Sequence, residues 1–436
     1  MTKILTDQRF PWLHGRRAVV VVYSYYPTDP RVRRAAEALS KEGAIVELIC
    51  LQETDDEPLH EVLNGVNITR IPRKRRRGGI LSYLADYGAF ILIAGLILTR
   101  RTIRRRFDLV HVHNMPDFLV FSALIPKLFG AKVILDLHDP MPELMRTIYG
   151  LQEDSYPVRL LKVLERWSAR FADAIVTVNE ALAKVFSERS CARQKVTVVM
   201  NTPDGEIFRL RAPSIPVAAH SDKSKRFILM YHGQVIERHG LDIAVKALIK
   251  IRKSVPEAEL RICAPATPFL EQVMELVRTA GLSEAVHYLG PMNPEQIAAA
   301  INESDAGIIP NRRSIFTELN TPTRIFEYLS QGKVAIAPRA PGILDYFGPQ
   351  DLVFFELGDS DDLAAKIEYV LQNPAEAKEI IERGQEVYRA HTWGAERLRF
   401  MTLVQSLLQA ERFSAVQAQS VPVTTTQALA GNTRSH

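Results

Sequence analysis

Between Ile308 and Ile343 the chain reads IIPNRRSIFTELNTPTRIFEYLSQGKVAIAPRAPGI. This is a short apolar strand, a polar loop, a helix opening at Pro322 and a second strand at Val334–Ala337. Such an order sets a helix N-terminus, with its free backbone N–H groups, at the C-terminal edge of a parallel sheet, which makes a ready anion site. Arg324 falls in the first helical turn and Glu327 about one turn on. A cation beside a phosphate pocket, with a carboxylate able to accept a sugar hydroxyl, is the chemistry that a nucleotide-sugar needs. The competing interpretation is an ordinary βαβ unit with a Glu–Arg surface pair.

A second constellation is YHGQVIERHGLD, Tyr231 to Asp242. Gly233 directly after a strand lets a ligand approach the backbone closely, and Gly240 turns the chain into the next helix. Arg238 and His239 lie in that loop, where they could meet a diphosphate, Arg238 being the permanent charge with bidentate geometry. Alone, the loop also reads as a solvated βα connection. In the first half, DLVHVHNMPD and ILDLHDPMPE each close a strand with His and Asp. That places His113, Asn114, His138 and Asp139 on one sheet rim facing a cleft. Isolated histidines are more often structural, and no metal-ligand spacing accompanies these. Asp359-Ser360-Asp361 resembles a metal-holding Asp-x-Asp pair but precedes a helix, so capping is the better account.

These loops need two α/β units to hold them. AVVVVY at Ala18–Tyr23 is a strand buried on both faces, and Asp29–Pro30 caps a helix after it. Alternating strands and helices continue to Met200 and resume at Phe227, which predicts two doubly wound parallel sheets with a ligand cleft between them. The expected boundaries are a first domain over 1–201, a Pro- and Ser-bearing linker over 202–225, a second domain over 226–389, a helix over 390–412 and a disordered tail over 413–436. A chain of 436 residues with 47% hydrophobic and 24% charged content fits this multidomain globular class. Three cysteines without metal or disulfide spacing and an N-terminus with no apolar signal core predict a reducing, cytoplasmic setting. GxGxxG, P-loop and GxSxG fingerprints are absent, which excludes the commonest dinucleotide, NTPase and hydrolase readings.

The net charge of +5 is local. It sits in the run Arg73–Arg77, with Arg73, Arg75 and Arg76, and in a second group with Arg100, Arg104 and Arg105. Between them Gly79–Thr99 is apolar apart from Asp86. As a helix it would be about 30 Å long. Basic flanks at both ends fit a segment lying on an anionic membrane surface better than one crossing it, and the alternative is a core helix of the first domain.

Taken together, YPTDPRVRRAAEAL, VHVHNMPDFLV, LDLHDPMPEL, NTPDGEIF, YHGQVIERHGLD and PTRIFEYLSQGK resemble the retaining glycosyltransferases with two facing Rossmann-like domains, the GT-B fold, family 4 type. The resemblance covers nearly the whole chain. It implies an α/β protein that moves a sugar from a UDP- or GDP-sugar, bound mainly by the second domain, to an acceptor against the first, with no metal or other cofactor. It implies donor contacts from Gly233, Gln234, Arg238, His239, Thr321, Arg324 and Glu327, with Glu327 on the ribose. His138 would lie near the transferred sugar, and His113, Asn114 and Asp139 on the acceptor side. Gln234 stands where Arg is frequent, and His239 where Lys is common. Glu318 lies nine residues before Glu327 instead of eight, so its catalytic role departs from the pattern. The acceptor expected by analogy is a glycan or lipid-linked glycan at the inner face of the cell membrane, in cell-surface polysaccharide synthesis. A nucleotide-sugar epimerase of the same architecture is the alternative. A nucleic-acid binder using the Arg clusters is a weaker one, because they lack interleaved aromatics.

Overall fold

The structure, a computed structural model, describes residues 10–74, 80–214 and 226–419. Arg75, Arg76, residues 215–225 of the expected linker and the tail beyond 419 lie outside the described residues.

The first sheet is built from β1 (Arg17–Tyr25), β2 (Ile45–Leu51), β3 (His60–Leu63), β4 (Val66–Ile71), β5 (Leu109–His113), β6 (Lys132–Asp136), β7 (Ala174–Thr177) and β8 (Val196–Val198). Their spatial order is β3-β4-β2-β1-β5-β6-β7-β8. All pairs are parallel except β3 with β4. Val19, Val20 and Val21 of β1 are completely buried because helices cover both faces of this strand. Val19, Val110 and Val133 belong to the core on one face, and Val20, Leu109 and Ile134 to the core on the other. Asp29 caps helix Pro30–Lys41 by accepting from the Arg31 and Val32 amides, as its sequence position predicts.

The second sheet contains β9 (Phe227–His232), β10 (Ala258–Cys263), β11 (Val286–Gly290), β12 (Ala306–Ile308), β13 (Val334–Pro338) and β14 (Val353–Phe355), in the order β11-β10-β9-β12-β13-β14. The strand order reverses at β1/β5 in the first sheet and at β9/β12 in the second. Loops leaving the C-terminal ends there diverge to opposite sides and leave a crevice in each domain. Two such domains make the α/β architecture of facing, doubly wound parallel sheets.

Three features depart from sequence expectation. The β3 edge strand was not anticipated; it forms a hairpin with β4 through Asn64 and Gly65, at φ 50° and 78°. The last helix runs Trp393–Gln419, past the expected end at 412, because Ser414–Gln419 holds no helix breaker. That helix also crosses back to the first domain, where Phe400, Met401, Val404 and Leu408 enter its core. Lastly, helix Ile80–Arg104 is apolar around much of its surface but buried on one face only. It seats Phe90, Ala94 and Leu98 in the first domain's core and leaves Leu92 and Leu96 outward. Arg73 and Arg101 are turned inward, to Asp86 at 3.3 Å and Glu47 at 2.7 Å. No helix among the described residues is long and apolar enough to cross a membrane.

Candidate functional site

Glu327 lies on helix Thr323–Ser330, whose N-cap, Pro322, offers no side-chain acceptor, so the first amides are left for another partner. The Arg324 guanidinium folds back across the Tyr231 ring, 4.9 Å from its centroid, and its Nη1 donates to the His232 carbonyl at 2.9 Å. Gly233 follows directly at φ 105°, a backbone conformation that L side chains rarely adopt. The Glu327 carboxyl, largely withdrawn from water, has its pKa pushed up to about 7 by burial, against the pull of Arg324 and Arg34. Burial and Arg324 hold the His232 imidazole down to about 3. His232 Nε2 stands 3.2 Å from Glu327 Oε2 but has no aligned hydrogen-bond partner, and with these protonation preferences the contact is not an ion pair. A carboxyl that resists ionisation and an imidazole without a partner together make an unsatisfied polar corner suited to hydroxyl groups.

The loop after β9 closes with Gly240, at φ 63°, where a Cβ would collide with the Pro310 carbonyl oxygen. Close approach of the two crossover loops lets the Arg312 amide donate to the Arg238 carbonyl at 2.9 Å. The Arg238 guanidinium lies over Phe316, 5.3 Å from the ring centroid, and its Nε is buried without a partner. Burial lowers its pKa, while Asp139 of the first domain opposes that from across the cleft. His239 behaves differently from the lysine its position resembles. Its pKa is pushed down to about 4, by burial first and then by Arg324, and Nδ1 donates to the Gln234 carbonyl at 2.7 Å. The ring is therefore neutral near pH 7, with Nε2 as an acceptor, and brings no charge to an anion. Gln234 is exposed.

On the facing rim, the Asn114 side chain shapes the turn after β6. Its Oδ1 accepts from the His138 amide at 3.2 Å, and Nδ2 donates to the Asp139 carbonyl at 2.6 Å. His138 and Asp139 line the cleft, but His113 does not. This corrects the placement of His113 on the acceptor side. It is fully buried, pairs in register with Asp136 across the sheet and holds Nδ1 3.4 Å from that carboxylate. Asp136 is the hub that the sequence did not single out. Both its oxygens accept from Arg31 Nε, at 3.0 and 2.9 Å, and the His111, His113 and His138 imidazoles surround it. Burial alone would raise its pKa, yet Arg31 and these imidazoles hold it well below the usual range. Burial works against a charged His138, but Asp136 and Asp139 outweigh it and raise its pKa.

Two other expected residues are engaged elsewhere. Thr321 Oγ1 donates to the Gly342 carbonyl at 2.6 Å and accepts from Asn179 Nδ2 at 3.0 Å, so its hydroxyl joins the domains together. At this helix start it is Thr323, not Thr321, that lines the cleft. Glu318 pairs with Arg313 at 3.0 Å and is not among the cleft-lining residues. Asp359 caps helix Ser360–Gln372 through the Asp361 and Asp362 amides. Among the described residues, one group brings metal-type ligand atoms together: His111, His113 and Asp136, within 4.8 Å of one another. The Arg31 guanidinium already occupies both carboxylate oxygens there, and its charge disfavours a cation.

The cleft between the domains has a volume of about 750 Å³. The first domain lines it with Arg31, Arg34, His138 and Asp139, and the second with His232, Thr323 and Glu327. Arg31 and Arg34 were not expected in the site. The signal for them was the DPR turn after β1, the same strand-to-helix corner that pointed to Arg324.

Comparison with known proteins agrees with this architecture. The pattern described as "Glycosyl transferase 4-like domain" matches residues 28–202, and that described as "Glycosyl transferases group 1" matches residues 217–387. The 2-deoxystreptamine glucosyltransferase of Streptomyces kanamyceticus is 23% identical over 74% of this chain and 83% of its own. The glycogen synthase of Mycobacterium tuberculosis is 22% identical over 83% and 87%. Among solved structures, the sucrose-phosphate synthase of Thermosynechococcus elongatus superposes with a TM-score of 0.71 at 16% identity, covering 91% of this chain and all of that one. Anabaena HepE in complex with UDP gives a TM-score of 0.61 at 14% identity, over 92% of this chain and 100% of that one. With two facing Rossmann-like domains, and a 4-like half and a group 1 half matched in order, the chain belongs to the GT-B glycosyltransferases of group 1.

Proposed function

We propose that the protein transfers a glycosyl unit from a UDP- or GDP-sugar to a glycan or lipid-linked acceptor presented at a membrane surface, with retention of anomeric configuration. The observation that carries this reading is Glu327 lining one cleft with His138 and Asp139 opposite it, while Arg324 and Gly233 pack behind that lining against His232 and Tyr231. Glu327 accepts the ribose hydroxyls. Arg238, Arg324 and the free amides at the start of helix Thr323–Ser330 meet the diphosphate, a charge that guanidinium and amide dipoles can neutralise without a metal. A UDP complex of one structural neighbour supports this choice of donor.

In the reaction the bond from the sugar C1 to the diphosphate oxygen breaks, and the acceptor oxygen bonds to C1 on the same face. The acceptor proton passes to the departing phosphate, which leaves as the nucleoside diphosphate. Arg238 and the amides stabilise charge that grows on the leaving group as C1 becomes oxocarbenium-like. His138, held by the Asn114 and Asp136 scaffold, hydrogen-bonds a sugar hydroxyl and fixes the ring. Apolar walls and the two lobes exclude water that would hydrolyse the donor.

A thermal-shift screen with UDP-, GDP- and dTDP-sugars tests the donor. One family should raise Tm in a concentration-dependent way through mass action. A flat response to all three at millimolar concentration would remove the reading. Turnover of the donor with no acceptor present, giving an isomeric nucleotide-sugar, would replace it with an epimerase.

A further inference from the structure

One face of the first domain presents an apolar, cationic surface that no part of the described fold covers. Helix Ile80–Arg104, the turns over Asp117–Leu128 and helix Tyr156–Phe171 lie on the same side of the sheet. Phe90, Leu98, Val120 and Ala169 of these elements share one buried cluster with Val110 and Val133 of the sheet. Since all three elements bury their inner faces there, their outer faces look the same way.

From the first helix Leu92, Leu96 and Ile103 point outward, exposed by 69%, 70% and 68%. Leu128 stands next to them, 72% exposed. From the other helix Tyr156, Leu160, Val163 and Trp167 recur at intervals of three or four residues, which aligns them along one exposed stripe. A row of large apolar groups in water on two neighbouring elements marks a contact surface.

The charges on the outer faces of the two helices are of one sign, with the exposed Asp154 in the turn before the second. Arg100, Arg104, Arg105 and Arg106 are exposed at the end of the first helix, and Arg159, Arg166 and Arg170 on the other. None of these seven has a carboxylate within ion-pairing distance among the described residues. The acidic residues of the two helices, Asp86 and Glu165, are turned inward and are 7% and 0% exposed. Glu153, just before the second helix, is taken up by Arg146 and Lys162.

We infer that this face docks on an anionic lipid bilayer, with the leucines below the headgroups, Trp167 and Tyr156 at their level and the arginines on lipid phosphates. The inference rests on the reading of a membrane-presented acceptor and extends the contact from the first helix to a composite of both helices and the Leu128 turn. The contact is interfacial, as no described helix can span. A second copy of this chain fits the same face poorly, because two-fold packing would bring unpaired arginines against arginines.

Flotation of the full-length protein with vesicles of phosphatidylcholine alone, and of phosphatidylcholine with 30% phosphatidylglycerol, tests this. Binding is expected only to the anionic vesicles and should fall in high salt. The combined variant Arg159→Glu, Arg166→Glu, Arg170→Glu should bind at least about a hundredfold more weakly, and Leu92→Ser with Leu96→Ser should also lose binding. Brominated lipid should quench wild-type tryptophan fluorescence, and Trp167→Phe should abolish that quenching. Nucleotide-sugar binding, followed in the same samples, should be unchanged in all variants. Equal flotation with both vesicle types, full binding by the charge variant, or a dimer in sedimentation velocity that the leucine variant dissolves would overturn the docking face. A protein that binds donor but ignores vesicles refutes the docking alone; one that floats but binds no nucleotide refutes the enzymatic reading alone.

Discussion

A carboxyl group flanked by guanidiniums that is still slow to ionise has lost more to dehydration than it gains from its neighbours. Glu327 is in that position, with its pKa pushed up to about 7 despite Arg324 and Arg34. Between pH 4.5 and 7 the folded protein keeps a proton that the unfolded chain has released. Stability from this group is therefore full below 4.5 and is lost as pH rises through 7. Glu327→Gln removes the titration, so its Tm should gain on wild type from pH 5 to pH 8, by ~3 °C. The same change should weaken donor binding tenfold or more through the lost charge-assisted acceptor. Thermal melts across pH, paired with donor titration, check both; a variant that tracks wild type in both would mean that Glu327 neither carries buried charge nor touches donor. Of the residues singled out by type and corner geometry, Glu327 lines the cleft, while Arg238 and Arg324 lie over Phe316 and Tyr231 behind it. Asp136 could not be singled out in that way, because its importance comes from Arg31, His111, His113 and His138, which converge on it from a helix, from β5 and from the loop after β6. His113 was misplaced for the same reason: at the C-terminal end of β5 its side chain enters the sheet packing, not the rim.

At the level of elements, the site depends on two crossover loops pressed together at the β9/β12 switch point. Gly240 is the residue that permits it, through a positive φ and the absence of a Cβ against Pro310. Gly240→Ala should cost ~2–4 kcal/mol, from the left-handed backbone and the displaced carbonyl, and should disturb Arg238 as the loops separate. A lowered urea midpoint together with weaker donor binding is the expected result, whereas an unchanged midpoint would show that the loops are free to move. Most strands were legible because continuous apolar runs such as AVVVVY admit little else. The β3–β4 hairpin carried its own signal, Asn64-Gly65, but β3 is short and mostly exposed, so its apolar pattern is weak. The last helix was legible as amphipathic. Its docking on the first domain was not, because periodicity says that one face is buried and not what buries it.

At the scale of the whole molecule, specific hydrogen bonds tie the two lobes together. Asn179 Nδ2 donates to the Leu319 carbonyl at 2.7 Å, the Glu180 amide donates to Tyr346 Oη at 2.8 Å, and Glu396 on the returning helix accepts from the Met200 amide at 2.9 Å. Beside them Glu327 of the second lobe and His138 and Asp139 of the first line one cleft, so a nucleoside held by the second lobe, as proposed, would face that rim. The exposed apolar face belongs to the first lobe alone, so docking would present that lobe's side of the cleft to a lipid-borne acceptor while the second lobe stays in water.

The central claim is that the second lobe neutralises a nucleoside diphosphate with Arg238 and amide dipoles. Isothermal calorimetry of wild type and Arg238→Ala against UDP and GDP tests it most directly. One nucleotide should bind wild type with a single-site isotherm, and Arg238→Ala should bind it at least tenfold more weakly while its Tm stays within about 2 °C. No heat with either nucleotide, or equal affinity in the variant, would contradict the account.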